Sequence, residues 1–200
     1  GNNNTGVLTN MNTTGNATSG WSTDCKYGSS CLKFDGIDDY VSAPDSPSLD
    51  INGTEITIEA WVKPQSIESF SSAGRIVQKE NSTDPWTMYI TNTALGYVRI
   101  RTSGGQYELT SDSAIAVNNQ WTHFVEVYNG THLMLFIDGK LNKSTSASGN
   151  IETSDGYLNI GTNTGGSQWF NGTIDEVKIY PRALSTAEVL CRYGNNCTWN

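Results

Sequence analysis

Apolar residues along this chain recur mostly at every second position, the period of a half-buried strand, and only one short segment carries the signature of a helix. Ile56, Ile58, Ala60 and Val62 alternate with Thr57, Glu59 and Trp61, so this strand carries something bulky or functional on both faces. Four short runs at residues 75–79, 86–91, 96–102 and 107–110, separated by turn residues, predict an antiparallel meander. Trp121 opens the next strand, with His123, Val125 and Val127 on one face and Phe124, Glu126 and Tyr128 on the other. Asn129-Gly130 and Asp138-Gly139 predict two type I′ turns that join it to residues 133–137 and then 141–144. Strands follow at residues 157–161 and 173–180, the latter with Asp175, Val177 and Ile179 alternating with Ile174, Glu176, Lys178 and Tyr180. After Pro181, Ser185 as N-cap, Glu188 three residues on, and Leu184 facing Val189 mark a helix over residues 185–193, closed by Gly194.

Residues 31–43, CLKFDGIDDYVSA, set two alternating runs (Leu32 and Phe34; Val41 and Ala43) around an acidic Asp-Gly turn and read as a hairpin. Asp35, Asp38 and Asp39 fall within it, and such a cluster is costly unless solvated or neutralised by a cation. Residues 1–24, rich in Asn, Thr, Gly and Ser, read as a loop-dominated lead-in with one short strand.

The chain has 200 residues, enough for one sizeable core, and reads as a single domain over residues 1–200. Twelve basic against 20 acidic residues give a net charge of −8, which disfavours nucleic acid and anionic lipid as partners. The longest apolar run, residues 133–137, is far too short to span a bilayer, and no signal peptide is present, so the chain reads as mature or trimmed. Four cysteines in two segments of one pattern, Cys25 to Cys31 and Cys191 to Cys197, predict disulfides rather than zinc. Local pairing, Cys25–Cys31 and Cys191–Cys197, is preferred over crosswise pairing because each segment holds a Tyr-Gly turn. Oxidised cysteine implies an extracellular or cell-surface setting. Sequons begin at Asn3, Asn12, Asn16, Asn52, Asn81, Asn129, Asn142, Asn171 and Asn196, and predict glycosylation at some of them. At Asn52, Asn129 and Asn171 the sequence Asn-Gly-Thr is equally good turn chemistry.

FDG-x-DDYV (residues 34–41), TIEAWVKP (57–64), W-x-H-F-V (121–125), LFIDGK (135–140) and NGTIDEVKIYPRALSTAEV (171–189) together resemble laminin G-like, concanavalin A-like domains. The resemblance covers roughly residues 4–194 and implies an all-β jelly-roll sandwich of two antiparallel sheets, here with one short C-terminal helix. Members usually open with a strand ahead of the Gly-Asn-rich turn, and this chain begins after it. The resemblance therefore implies an unpaired edge along residues 173–180, where copies of the chain or another extended segment would add a strand, or else a strand supplied by an upstream part of a longer parent and trimmed away here.

For chemistry, Asp35, Asp38 and Asp39 offer oxygens for a structural Ca2+, and the resemblance makes Asp175 their partner across the sheet. The other reading is that these residues bond their own backbone. A retaining glycosidase needs two carboxylates close together on one face. Glu59 stands alone in its strand, Asp175 and Glu176 point to opposite faces by alternation, and His123 and His132 have no matched ligands. No catalysis is predicted. Glycan binding is the family-level expectation, with Trp86, Tyr97, Tyr107 and Trp169 as candidate stacking surfaces and Trp61 and Trp121 as structural residues. The sequence thus predicts a non-catalytic recognition or adhesion module for a glycan or a surface protein. The alternatives are a structural subunit of a surface filament and, less favoured, a glycoside hydrolase or its accessory domain.

Overall fold

Period-two strands that are apolar on one side must bury that side, and here they do so against each other in two sheets. The computed structural model describes residues 4–12, 19–79, 84–163 and 165–195. Strands are numbered in chain order. Sheet A runs β1 (Val7–Thr9), β4 (Tyr40–Ala43), β13 (Leu158–Ile160), β6 (Ala73–Lys79), β7 (Trp86–Thr91), β8 (Gly96–Thr102), β9 (Gly105–Thr110). Sheet B runs β12 (Lys140–Ser146), β11 (His132–Ile137), β10 (Thr122–Tyr128), β5 (Ile56–Pro64), β14 (Asn171–Tyr180), β3 (Cys31–Asp35), β2 (Gly20–Ser22). Every named pairing is antiparallel, and the two sheets form a jelly roll. Met88, Ile90, Val98 and Ile100 of sheet A share one core with Phe34, Ile56, Ile58, Val62 and Phe124 of sheet B, all fully buried.

The meander β6 to β9 pairs as the alternation predicts. Asp138 and Gly139 both take positive φ, 49° and 77°, and close the two-residue turn between β11 and β12. The turn after β10 differs from the predicted type I′ form. Only Gly130 takes positive φ there, because the Asn129 side chain accepts the N–H groups of Thr131 (3.1 Å) and His132 (2.8 Å) and holds a longer loop.

Residues 31–43 are not a hairpin. β3 pairs with β14 and β2 in sheet B, whereas β4 pairs with β1 and β13 in sheet A, so the acidic turn arches from one sheet to the other. The lead-in holds two strands rather than one, each at a sheet edge. β14 is also not an edge along its length. Between Gly172 and Ile174 it pairs with β3 on one side and β5 on the other, whereas Asp175 and residues 178–180 pair with β5 alone among the described residues.

The helix α1 (Thr186–Gly194) carries the predicted capping box: Glu188 N–H donates to Ser185 Oγ (3.2 Å) and Ser185 N–H to Glu188 Oε2 (2.8 Å). Its C-terminal cap is Asn195 in the left-handed conformation, and Gly194 is the last helical residue, because Asn also tolerates that region. α1 lies on the outer face of sheet B, where Leu184 and Val189 pack on Val125, Val127 and Phe136. That cover explains why β5 is buried on both faces. Beneath the helix Trp61 stacks on His123 (centroids 4.9 Å apart) and Tyr193 (5.6 Å). At its centre Arg192 Nε and Nη2 donate to the buried Glu59 carboxylate at 2.6 Å, and Tyr180 Oη adds a third bond at 3.1 Å. Burial alone would raise the Glu59 carboxyl, but His123 and Arg192 outweigh it and hold the group below its ordinary range.

A second carboxyl, Glu126, points the other way, into the core between Phe124 and Tyr128, with Ile58 and Leu135 as its cross-strand neighbours. Neither oxygen has a hydrogen-bond partner, and burial pushes the group well above its ordinary range.

Two outcomes follow from these opposite shifts. Replacing Arg192 by Met removes the charged hydrogen bonds at 2.6 Å and leaves Glu59 with Tyr180 and the more distant His123 and Lys178, so it should cost about 1.5–3 kcal/mol in urea unfolding at neutral pH. Because the folded Glu59 value is lowered, its stabilisation is present above the ordinary 4.5 and disappears as pH falls through the lowered value, so the cost should shrink in acid. Glu126 has the reverse sign: its contribution is intact below 4.5 and is lost as pH rises toward the raised value. Glu126→Met should therefore stabilise by about 1–3 kcal/mol at pH 7.5 and by less at pH 4.5 in paired thermal melts. A gain independent of pH would contradict this account.

Candidate functional site

The outer face of sheet A has no helix over it among the described residues, and its side chains follow from the alternation that sends Met88, Ile90, Val98 and Ile100 inward. One cross-sheet row reads Ser42, Asn159, Gln78, Thr87, Arg99, Glu108. The neighbouring row reads Arg75, Tyr89, Tyr97, Thr110. Arg75 reaches this face only because β6 bulges between Arg75 and Val77, which lets both Ile76 and Val77 turn into the core and both Arg75 and Gln78 turn out.

The rings and planar groups of this face are stacked. The Arg75 guanidinium lies 4.4 Å from the Tyr89 ring centre, and Tyr89 stacks on Tyr97 at 4.3 Å. Arg75 Nη1 donates to Thr87 Oγ1 at 2.6 Å, and Nη2 donates to Gln168 Oε1. Arg99 pairs with Asp84 (3.2 Å), and Tyr97 Oη donates to Glu108. Burial and the Glu108 hydrogen bond raise the Tyr97 hydroxyl well above its ordinary value, so it remains a neutral donor. Next to Gln168, Trp169 packs on Tyr40 (6.0 Å) and walls a cleft of about 490 Å³ with Tyr157, Asn159 and Asn163. Toward β8 and at the cleft the face presents Tyr97, Arg99, Trp169 and Tyr157, flat rings beside polar groups of the kind a pyranose ring meets, whereas Arg75, Gln78, Thr87 and Asn159 are buried within it.

Of the four aromatic candidates, Tyr97 and Trp169 stand on this face or its rim. Trp86 is 1% exposed and lies in the core, because it shares the inward face of β7 with Met88 and Ile90. Tyr107 lies on the inward side of β9 with Leu109, packs against the core, and donates to Gly104 O (3.1 Å). Neither is a glycan surface. Sequence reasoning missed Arg75, Tyr89, Arg99, Gln78, Tyr40 and Tyr157. Tyr89 was accessible from its odd spacing to Trp86, whereas the bulge hid Arg75.

The acidic turn brings Asp35, Asp38 and Asp39 together, with one carboxylate oxygen of each within 4.8 Å of the others. Asp35 Oδ1 accepts Ile37 N–H (2.8 Å), and Asp39 Oδ2 accepts Asp35 N–H (2.8 Å). Asp39 is buried, and its Oδ1 has no hydrogen-bond partner. Burial raises its carboxyl, and the Asp35 charge adds to the rise. Asp175 is not part of this group. Its Oδ2 accepts the Lys26 and Tyr27 N–H groups (3.0 Å each) and its Oδ1 the Glu176 N–H (2.8 Å), beside the Cys25–Cys31 disulfide. It thus holds the disulfide loop against β14.

The second predicted disulfide involves Cys197, outside the described residues, as are Asn3, Asn16, Asn81 and Asn196 of the sequons. Asn12, Asn52 and Asn142 are exposed. Asn129 holds its own loop, and Asn171 Nδ2 donates to Ser69 Oγ (3.0 Å).

β14 departs from strict alternation. It bulges between Asp175 and Lys178, with Glu176 at φ 53°, so Ile174, Val177 and Ile179 all meet the core. Glu176 consequently lines the same small pocket as Glu59, rather than the opposite face from Asp175, and pairs with Lys178. A larger groove of about 790 Å³ on sheet B, lined by Lys33, Lys63 and Thr173, has its Lys63 already paired with Asp24.

A two-sheet jelly roll with one covered face and one polar, ring-bearing face defines the class of lectin-like sandwich domains. The profile of the concanavalin A-like lectin/glucanases superfamily, laminin G type, matches residues 35–190, and the chain belongs to this family. No curated protein sequence matches it significantly. Among solved structures it is similar to the receptor binding domain of botulinum neurotoxin C/D mosaic serotype, with TM-score 0.72, 14% identity, and coverage of 98% of this chain and 47% of that one. The binding domain of Paraclostridial Mosquitocidal Protein 1 gives 0.71 and 17%, covering 98% and 48%. The botulinum neurotoxin serotype G binding domain gives 0.69 and 15%, covering 96% and 47%. The chain spans about half the length of these structures, and at such identities the likeness is one of fold.

Proposed function

We propose that the protein is an extracellular, non-catalytic binding module that holds a glycan on the outer face of sheet A. The observation that carries this reading is the set of half-buried or exposed rings at the rim of that face, Tyr97, Tyr157 and Trp169, beside polar neighbours such as Arg99, Glu108 and Asn163. Binding-domain neighbours with the same fold support a recognition role, though they leave the ligand open. The Cys25–Cys31 bridge and the exposed sequon asparagines support an extracellular setting. Non-catalysis is supported by the acids near the face, each of which is already engaged: Asp84 by Arg99 and Glu108 by Tyr97 and Gln106. Trp169→Ala should weaken oligosaccharide binding on a glycan array and in calorimetry by about tenfold, equivalent to about 1.4 kcal/mol, with little change in melting temperature. Undiminished binding, or no binding of any glycan by the parent protein, removes the reading.

The same reading includes one structural Ca2+ at Asp35, Asp38 and Asp39, whose hard oxygens and unpartnered buried Asp39 Oδ1 fit such an ion. A cation bound only to the folded state stabilises by mass action. Chelation should lower the melting temperature, added Ca2+ should restore it, and Asp39→Asn should abolish both responses. A melting curve indifferent to chelator and Ca2+ would exclude the ion.

A further inference from the structure

One cross-strand row on the outer face of sheet B reads Gly20, Lys33, Thr173, Lys63. Thr173 is short and buried and Gly20 has no side chain, so the two lysines stand on either side of a low floor and flank the groove of about 790 Å³. The exposed Gln65 and Asn119 amides and the Trp21 ring, 58% exposed, complete its walls. Two strand spacings separate Lys33 from Lys63, which is about 10 Å between their backbones.

The groove is basic in a chain of net charge −8. Lys33 is half-buried, and none of the ion pairs among the described residues uses its ammonium. Lys63 extends over the Trp121 ring (5.3 Å from its centre) and pairs with Asp24, whose side chain is 73% exposed. An ion pair with so exposed an acid contributes little, so a carboxylate arriving from outside can take its place. Asp24 thereby marks where a carboxylate fits beside Lys63, and Lys33 offers a second such position with no resident acid.

We infer that this groove binds an extended acidic peptide, with one carboxylate on Lys33 and a second on Lys63 in place of Asp24. Alternate side chains of an extended chain share one face at a separation of about 7 Å, and the flexible stems of the two lysines close the remaining distance. The peptide groups between the two acids then lie within reach of the Gln65 and Asn119 amides, and an apolar side chain at the end of the segment rests on Trp21. Compact ammonium groups suit single carboxylate oxygens set apart along a chain, where a forked guanidinium suits one oxyanion held in both prongs. This site is independent of the glycan reading, because it lies on the opposite sheet from the Tyr97 and Trp169 face.

The test is calorimetry at low salt with three probes: a capped peptide alternating glutamate with threonine, the same peptide with glutamine in place of glutamate, and an oligogalacturonate of equal charge. The glutamate peptide should bind about tenfold more tightly than the glutamine peptide and lose affinity as salt rises. Lys33→Gln should weaken its binding about fivefold. Asp24→Asn, which removes the resident competitor from Lys63, should strengthen it about threefold with little change in melting temperature. If Lys33→Gln fails to fold, the gain in Asp24→Asn alone decides the site. Equal affinity for the two peptides, unchanged affinity in the folded variants, or binding of neither peptide overturns the proposal. Tighter binding of the oligogalacturonate than of the glutamate peptide, lost in Lys33→Gln, overturns it in favour of an anionic saccharide.

Discussion

The Glu59–Arg192 contact is the constraint from which much of the architecture follows. β5 lies in the middle of sheet B and is apolar toward the core, so its other face must also be covered or left wet. That face holds a carboxylate, and covering it requires that a cation or several hydrogen-bond donors be delivered to it. α1 makes the delivery. Its capping box fixes where it starts, Leu184 and Val189 fix which side faces the sheet, and Arg192 then arrives over Glu59 in the last turn, where a cation also suits the helix dipole. Trp61, His123 and Tyr193 stack around the contact, so charge and ring packing are satisfied by one geometry.

Asp175 performs a comparable task on the same strand by different means. Three backbone N–H groups converge on it, two from the disulfide loop and one from its own bulge. The bulge then carries Glu176 to the outer side and lets Val177 and Ile179 regain the core. The side chain that looked like a metal ligand is thus the fastener that makes the bulge and the loop compatible. Its three donors show why a carboxylate near an acidic cluster in the alignment of motifs need not join that cluster in space.

Much of this was legible in the sequence, because the signals involved are local. The capping box, the staple, the Asp138-Gly139 turn and the two-faced burial of β5 each depend on residues within a few positions of one another. What escaped were the non-local choices. Alternation in residues 31–43 is the same whether β3 and β4 pair with each other or face each other across the core, and only the partners available elsewhere decide it. Bulges escaped as well, since one extra residue reverses every later side chain: strict period two puts Arg75 with Val77 inside, and the bulge at Ile76 puts it outside with Gln78. Trp86 illustrates the remaining error. Large aromatics attract a binding role, but its partners on the same face of β7 are Met88 and Ile90, and the ring that does face out is Tyr89, three residues along.

The two outer faces of the sandwich therefore resolve the same problem in opposite ways. Sheet B covers its outer face with the chain's own helix and neutralises the buried Glu59 with a cation from that helix. Sheet A carries the mirror-image charge, the buried Arg75 guanidinium, hydrogen-bonds it to neutral groups only, and leaves Asp84 to act on it from a distance. The Thr87 hydroxyl and the Gln168 amide orient Arg75 and fix its plane against Tyr89, so on this sheet it is the bulge in β6, one ring and two neutral acceptors that hold a buried charge in place, where on the other sheet an ion pair does so.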